Sequence, residues 1–284
     1  MKREITEIME KYIPQIDKND TLYHAFKIIE KHDLDKVIVT ENRVIEPGKE
    51  IRTIAGILTS RDLVDKLGTQ RMRTTTPGKL HVSSFMSIPP ITITPETTLY
   101  EAAKIMDEKN IGILPVIKDN EIMGGLLRDH IVRLASDDDT EVRHIMDTSP
   151  LLAKTTDRVL KIRQDMLSND ISFMPVLDEY GELVGYITIY ELAFSFFRFE
   201  DMVPAKYRKE RIMHLIVEDI MRFRPPKLRI MDTVSKAIAE IYKKNSRGAV
   251  VVDEIGRPVG VVTPHIILKH ILTNRKDLLL GESS

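Results

Sequence analysis

The chain has no cysteine and no tryptophan among its 284 residues. Without thiols there is no disulfide framework, no thiolate nucleophile and no cysteine metal site, although that absence assigns no compartment. A charge excess is also missing: 42 Lys+Arg stand against 43 Asp+Glu. A general nucleic-acid binder would show a basic surplus or stripe, so no nucleic-acid partner is expected. Apolar runs stay far below the roughly 18 residues of a membrane span. Met1-Lys2-Arg3-Glu4-Ile5 does not begin a signal peptide, so a cytoplasmic protein without a membrane partner is expected. Signatures of catalysis are missing too: no P-loop, no G-x-G-x-x-G, no H-E-x-x-H and no G-x-S-x-G. The eight histidines are scattered, and His265 and His270, five apart, do not share a helix face. The chain is therefore expected not to be an enzyme, with no catalytic residue and no metal. Asp137-Asp138-Asp139 reads as carboxylates stabilising the N-terminus of a following helix rather than as cation ligands.

What is present is repetition. Ala55-Gly56-Ile57-Leu58-Thr59-Ser60-Arg61-Asp62 reads as a strand, a glycine and a threonine positioned to cap a helix. The pattern returns at Met123-Gly124-Gly125, Val184-Gly185-Tyr186 and Val259-Gly260-Val261, with glycines 68, 61 and 75 residues apart. Upstream of each lies an apolar run, among them Ile113-Leu114-Pro115-Val116 and Phe173-Met174-Pro175-Val176, read as buried strands. Further upstream, apolar residues fall at i, i+3, i+4, i+7: Leu22, Ala25, Phe26, Ile29; Leu99, Ala102, Ala103, Met106; Val234, Ala237, Ile238, Ile241. Such a stripe marks a core-facing helix. The third copy departs from it, with Arg163 between Ile162 and Met166.

Each unit is thus β-α-β-β-α, preceded by a short segment carrying Met9, Met86, Met146 or Met221. A unit of about 60 residues buries too little apolar surface to stand alone, so units should stack on one another. The composition, 42% hydrophobic and 30% charged, suits a soluble globular protein, and the length suits about two domains. Units are placed at about 1–67, 81–135, 141–199 and 212–273. An extra hairpin turns at Glu46-Pro47-Gly48-Lys49. Gly68 to Lys79, with Arg71 and Arg73, and Asp201 to Arg211 read as linkers, and the tail to Ser284 as frayed. Phe194, Phe196, Phe197 and Phe199 exceed what one helix face needs, and are read as packing beneath a neighbouring unit rather than against a second chain.

The Met-bearing lead-in, the Leu-Pro-Val or Met-Pro-Val strand and the Gly-x-x-Thr-x-x-Asp turn together resemble the CBS domain. Four copies resemble the gamma regulatory subunit of AMP-activated kinase and stand-alone archaeal four-CBS proteins. The implied fold is α/β (α+β), four repeats arranged as two tandem pairs, 1–136 and 137–284, with a disk as a further expectation. The implied ligand is an adenosine-derived small molecule held between paired units.

A helix N-terminus suits an anion, and a carboxylate one turn later can accept from a ribose diol; the plain alternative is a capping box. Carried over residue by residue, the resemblance implies four clefts. The first combines Thr59 and Asp62 with Gly112, Ile113 and Asp129. Its extra acid favours an uncharged or cationic ligand such as S-adenosylmethionine or methylthioadenosine. The second combines Leu127 and His130 with Asp35, Lys36 and Arg61, and is expected empty or holding a bare anion. The third combines Thr188 and Glu191 with Arg247, Gly248 and His265, which suits AMP, ADP or ATP. The fourth, with Thr263, Ile266, Ser172, Phe173 and Tyr190, offers no side-chain acid or cation for a nucleotide. The expected function is a non-catalytic regulatory sensor acting on an unknown protein, with a second copy of the chain as a further candidate partner. The alternative is an interaction scaffold without a small-molecule ligand.

Overall fold

The computed structural model of the chain describes residues 4–32, 34–67, 69 and 77–281. Linker residues Arg71 and Arg73, and the last three residues of the tail, lie outside the described residues. After a short α1 (Ile5–Ile8), unit one consists of β1 (Gln15–Asp17), α2 (Leu22–His32), β2 (Lys36–Glu46), β3 (Lys49–Thr59) and α3 (Ser60–Leu67). The strands order β1-β2-β3, with β1 parallel and β3 antiparallel to β2. The hairpin turns as expected, with Gly48 at φ 81 supplying the left-handed residue. Unit two reduces its first strand to one parallel bridge, Ile93 to Val116. It continues through α4 (Leu99–Glu108), β4 (Ile113–Lys118), β5 (Glu121–Leu127) and α5 (Arg128–Val132).

Unit three holds β6 (Ala153–Lys154), α6 (Val159–Ser168), β7 (Phe173–Leu177), β8 (Leu183–Thr188) and α7 (Ile189–Met202). The linker expected after it is a helix, α8 (Ala205–Arg211), followed by β9 (Arg222–Phe223). Arg208 explains this: it is buried, and its guanidinium donates to the carbonyls of Glu200 and Val203. Those carbonyls end α7 and have no partner in their own helix. Unit four runs β10 (Lys227–Arg229), α9 (Val234–Lys243), β11 (Ala249–Val252), β12 (Pro258–Val262) and α10 (Pro264–Asn274). The tail adds α11 (Asp277–Leu280), pinned by the buried Leu279, so frayed structure does not begin at 274.

The units close a cycle because each helical layer and each sheet finds a different neighbour. Ile13, Ile38, Ile57 and Ile113 join the sheets of units one and two. Phe173, Leu183, Tyr186, Val250, Val252 and Val261 join those of units three and four. The helices of unit one share a core with those of unit three, and unit two with unit four. The phenylalanines of α7 enter the first of these cores: Phe197 stacks on Phe26 with ring centroids 3.7 Å apart, and Phe194 meets it edge-on at 5.3 Å. The aromatic surplus thus packs beneath a neighbouring unit. Arg163, the irregular position of the third helix, reaches across to the Val64 carbonyl of α3 at 2.8 Å.

The Met-bearing lead-ins do not cover their own units. Each crosses to its tandem partner and pairs beside the repeat glycine: Glu10 with Gly125, Ser87 with Ile57, Asp147 with Val261, and Arg222 with Tyr186. A Cβ on Gly56 would sit 2.7 Å from the Ser87 carbonyl oxygen and 2.9 Å from the Met86 sulfur. On Gly185 it would sit 2.7 Å from the Arg222 carbonyl oxygen, and on Gly260 2.8 Å from that of Asp147. No side chain fits at those distances, so close backbone approach explains why the glycine recurs.

Candidate functional site

A cleft with a volume of about 350 Å³ lies between units one and two, the scale of a small-ligand site. One wall is apolar, from Ile57, Ile111 and Ile113 with Pro89, Pro90 and Ile91 of the crossing lead-in. The other end is polar and lined by Thr59, Arg61 and Asp62 of unit one with Lys109, Asn110 and Arg128 of unit two. Asp170, Ser172 and Ile189 of unit three close it. Three units therefore build a cleft expected from two.

Of the residues expected in the first cleft, Thr59, Asp62, Gly112 and Ile113 line it. Asp129 does not: it lines a smaller cavity at the junction of all four units, and its neighbour Arg128 faces the cleft. One residue of rotation at the start of α5 replaces the expected acid by a cation. Lys36 and Arg61, expected in the second cleft, line this same cleft. His130 instead turns back on its own helix, its Nδ1 accepting from the Leu127 N–H at 3.3 Å.

The Asp62 carboxylate is fully engaged. One oxygen accepts from the Thr59 N–H at 2.8 Å and the Thr59 hydroxyl at 2.6 Å. The other accepts from the Ser87 hydroxyl at 2.6 Å. The first oxygen closes a capping box. The second is held by a replaceable hydroxyl at the cleft, the kind of partner a ribose diol can substitute.

Pair two is arranged differently. Thr188 is buried, its hydroxyl accepting from the Tyr190 and Glu191 N–H groups and donating to the Glu191 carboxylate. Glu191 lies 3.7 Å from Arg222. The Phe173 ring presses against Gly248, where a Cβ would meet it at 2.7 Å, and stacks on Tyr186 at 5.3 Å. Both rings belong to the buried cluster that joins the sheets of units three and four. Of the residues expected in the third cleft, Thr188 ends β8 and Glu191 lies in the first turn of α7 beside Arg222, while Arg247 and His265 line the central junction together with Tyr190.

That junction is a cavity of about 50 Å³ lined by Asp35, Lys36, Asp129, Arg247, Thr263 and His265 among others. Arg247 pairs with Asp35 of unit one at 3.3 Å, and Lys36 with the same carboxylate at 3.0 Å. Burial pushes Asp35 up, but Arg247 and Lys36 outweigh it and hold the carboxyl well below the usual range. Thr263 caps α10 through the Ile266 N–H. His265 lies 3.6 Å from Asp107 of unit two. Burial, then Arg128 and Lys269, push its pKa down to about 4. The folded protein thus holds His265 neutral where the unfolded chain, near 6.5, takes up a proton. Stability should fall as pH drops from about 6.5 towards 4, by the order of 2 kcal/mol after allowance for partial exposure. His265→Gln should flatten that segment of a denaturation-versus-pH series; an unaltered slope would rule it out.

Asp137 to Asp139 were expected to serve a following helix, yet Asp138 turns inward. It is buried, accepts from His270 Nε2 of α10 at 2.9 Å and lies 3.1 Å from Arg275, the residue that ends α10. Among the described residues there is no group of three His, Asp or Glu side chains arranged to hold a metal ion, and no helix is long and apolar enough to cross a membrane.

The CBS domain profile matches residues 5–69, 82–137, 142–197 and 217–273. The chain belongs to the CBS domain family. It holds four CBS units, whose sheets pack one with two and three with four. The uncharacterized protein MJ1404 of Methanocaldococcus jannaschii is 30% identical over 204 residues, 71% of this chain and 46% of that one. The chain thus matches less than half the length of that relative. MJ1225 of the same organism is 29% identical over 235 residues, 76% of this chain and 82% of that one. The MJ1225 crystal structure, presented as that of a candidate archaeal homolog of g-AMPK, superposes with a TM-score of 0.80 at 20% identity, covering 95% of this chain and 100% of that one. A conserved protein from Pyrococcus horikoshii superposes at 0.60 and 16% identity, with 95% and 100% covered. These superpositions show the CBS fold.

Proposed function

We propose that the protein is a non-catalytic regulatory sensor that binds an adenosine-derived ligand in the cleft between its first two CBS units. We take 1–136 and 137–284 as its two pairs. The observation that carries the reading is the cleft of about 350 Å³ between the first two units, in which Thr59 and Asp62 face Gly112, Ile113 and Arg128; in the second pair Phe173 packs against Gly248 and Tyr186 instead. In the open cleft, isoleucines and prolines suit a purine face, Asp62 suits a ribose diol, and Arg61 and Arg128 suit a phosphate. Arg128 is held at the cleft by its Nη2, which donates to Asn110 Oδ1 and the Ile111 carbonyl. The balance favours an adenine nucleotide, AMP being the simplest, over S-adenosylmethionine or methylthioadenosine.

Occupancy would act by population shift, favouring the pair arrangement that closes around the ligand, and a partner protein would read that arrangement. The engaged state of Asp62 favours a second reading, an interaction scaffold whose turns only cap helices. A thermal-shift panel of AMP, ADP, ATP, S-adenosylmethionine and methylthioadenosine separates the two. A sensor gains about 2.7 kcal/mol at a hundredfold excess over Kd; a scaffold gains nothing. Asp62→Asn should then weaken AMP binding about 10- to 100-fold in calorimetric titration, and wild-type affinity in that variant would remove Asp62 from the site.

A further inference from the structure

The polar end of the cleft carries a carboxylate that neither of the first two units supplies. Asp170 of unit three lies 3.2 Å from Arg61, and Arg61 also donates to the Ile171 carbonyl at 3.0 Å. Asn110 donates to Asp170 at 2.6 Å and accepts from Arg128 at 3.1 Å. Arg61 directly, and Arg128 through Asn110, are thus tied to one carboxylate of the opposite pair. We infer that Asp170 is a resident anion at the cationic end of the cleft and sets its preference for ligand charge, an inference that rests on the ligand site proposed above.

The argument is one of competition. Arg61 stands in the same helical turn as Thr59 and Asp62, so a ligand with its ribose on Asp62 brings its 5′ group towards Arg61. A phosphate there must share or displace Asp170, against repulsion between like charges. Each added negative charge raises that cost, whereas an uncharged 5′ group meets none of it. Because Asp170 belongs to pair two, its displacement also breaks a contact between the pairs, which connects ligand charge to their relative arrangement.

The fold supplies a conservative test. Asp170 follows α6 in the left-handed conformation, φ 51, and the same position after α4 and after α9 holds Asn110 at φ 45 and Asn245 at φ 47. Asparagine therefore suits the backbone, and Asp170→Asn removes the charge while keeping one acceptor oxygen of the two that face Arg61 and Asn110. Calorimetric titration of the full chain with AMP, ADP and methylthioadenosine reads the outcome. The variant should bind AMP about three- to tenfold more tightly, gain at least as much for ADP, and bind methylthioadenosine within about twofold of wild type, with the AMP gain shrinking in high salt. Asp170→Ser should shift the AMP to methylthioadenosine ratio in the same direction. An unchanged ratio, or weaker AMP binding, overturns the inference while leaving the ligand site standing. Failure of wild type and variant to bind any of the three takes down both readings.

Discussion

Asp138→Ala should lower the unfolding free energy by about 3–5 kcal/mol, the usual cost of removing one partner from a buried ionic contact. Asp138 is 2% exposed and His270 5%, so truncation leaves the imidazole without its acceptor in the interior. The same carboxylate accepts from the Thr140 N–H at 2.9 Å and lies 3.1 Å from Arg275. It therefore fastens the segment before unit three to the C-terminal end of α10. Burial pushes the Asp138 carboxyl up, and the hydrogen bonds from Thr140 and His270 pull it further down, to a depressed value. A carboxyl depressed in the folded state stabilises fully above its unfolded pKa, near 3.9, and loses that contribution as pH falls through the folded value. The gap between wild type and variant in urea denaturation should be full at pH 7 and narrow below pH 4. A loss under about 1 kcal/mol at pH 7 would show that the clamp does not hold the fold closed.

Gly185→Val is the second large effect, a loss of about 3 kcal/mol. Its Cβ would stand 2.7 Å from the Arg222 carbonyl oxygen and 2.9 Å from the Met221 sulfur. The thioether can swing away, but the carbonyl is backbone and is held in the β8–β9 pairing. Overpacking of this kind typically costs about 1–3 kcal/mol, and the lost strand pairing puts the valine at the upper end. Gly78→Val, at a position with nothing within 4 Å of a new Cβ, should stay within about 0.5 kcal/mol of wild type. Equal losses for the two variants would remove the crossing lead-in as the reason for the repeated glycine.

The cleft was partly legible in the residues. Thr59, Asp62, Gly112 and Ile113 were placed together by the repeat pattern and its likeness to CBS pairs, and they line one cleft. The pattern could not tell which of Arg128 and Asp129 faces it, because neighbouring helical residues differ by about 100° and the start of α5 decides. Nor could it show how differently the two turns are surrounded: Thr188 and Glu191 keep the motif's hydroxyl and acid, with Glu in place of Asp, as Thr59 and Asp62 do. The bulk of Phe173 opposite Gly248 was the available signal that the seam between units three and four packs differently. Asp170 carried no motif at all, since it reaches the cleft from a third unit across a contact between residues 61 and 170.

The amino-acid order alone determined four β-α-β-β-α units, their core-facing helices and their glycine turns, since 3.6- and 2-residue periodicities and chain-local capping are written in neighbouring residues. Only the tertiary structure decided which unit each lead-in covers, which space stays open, and which charges meet at the centre. Those outcomes depend on side-chain volume and on contacts between residues far apart in the chain, and no local period encodes either.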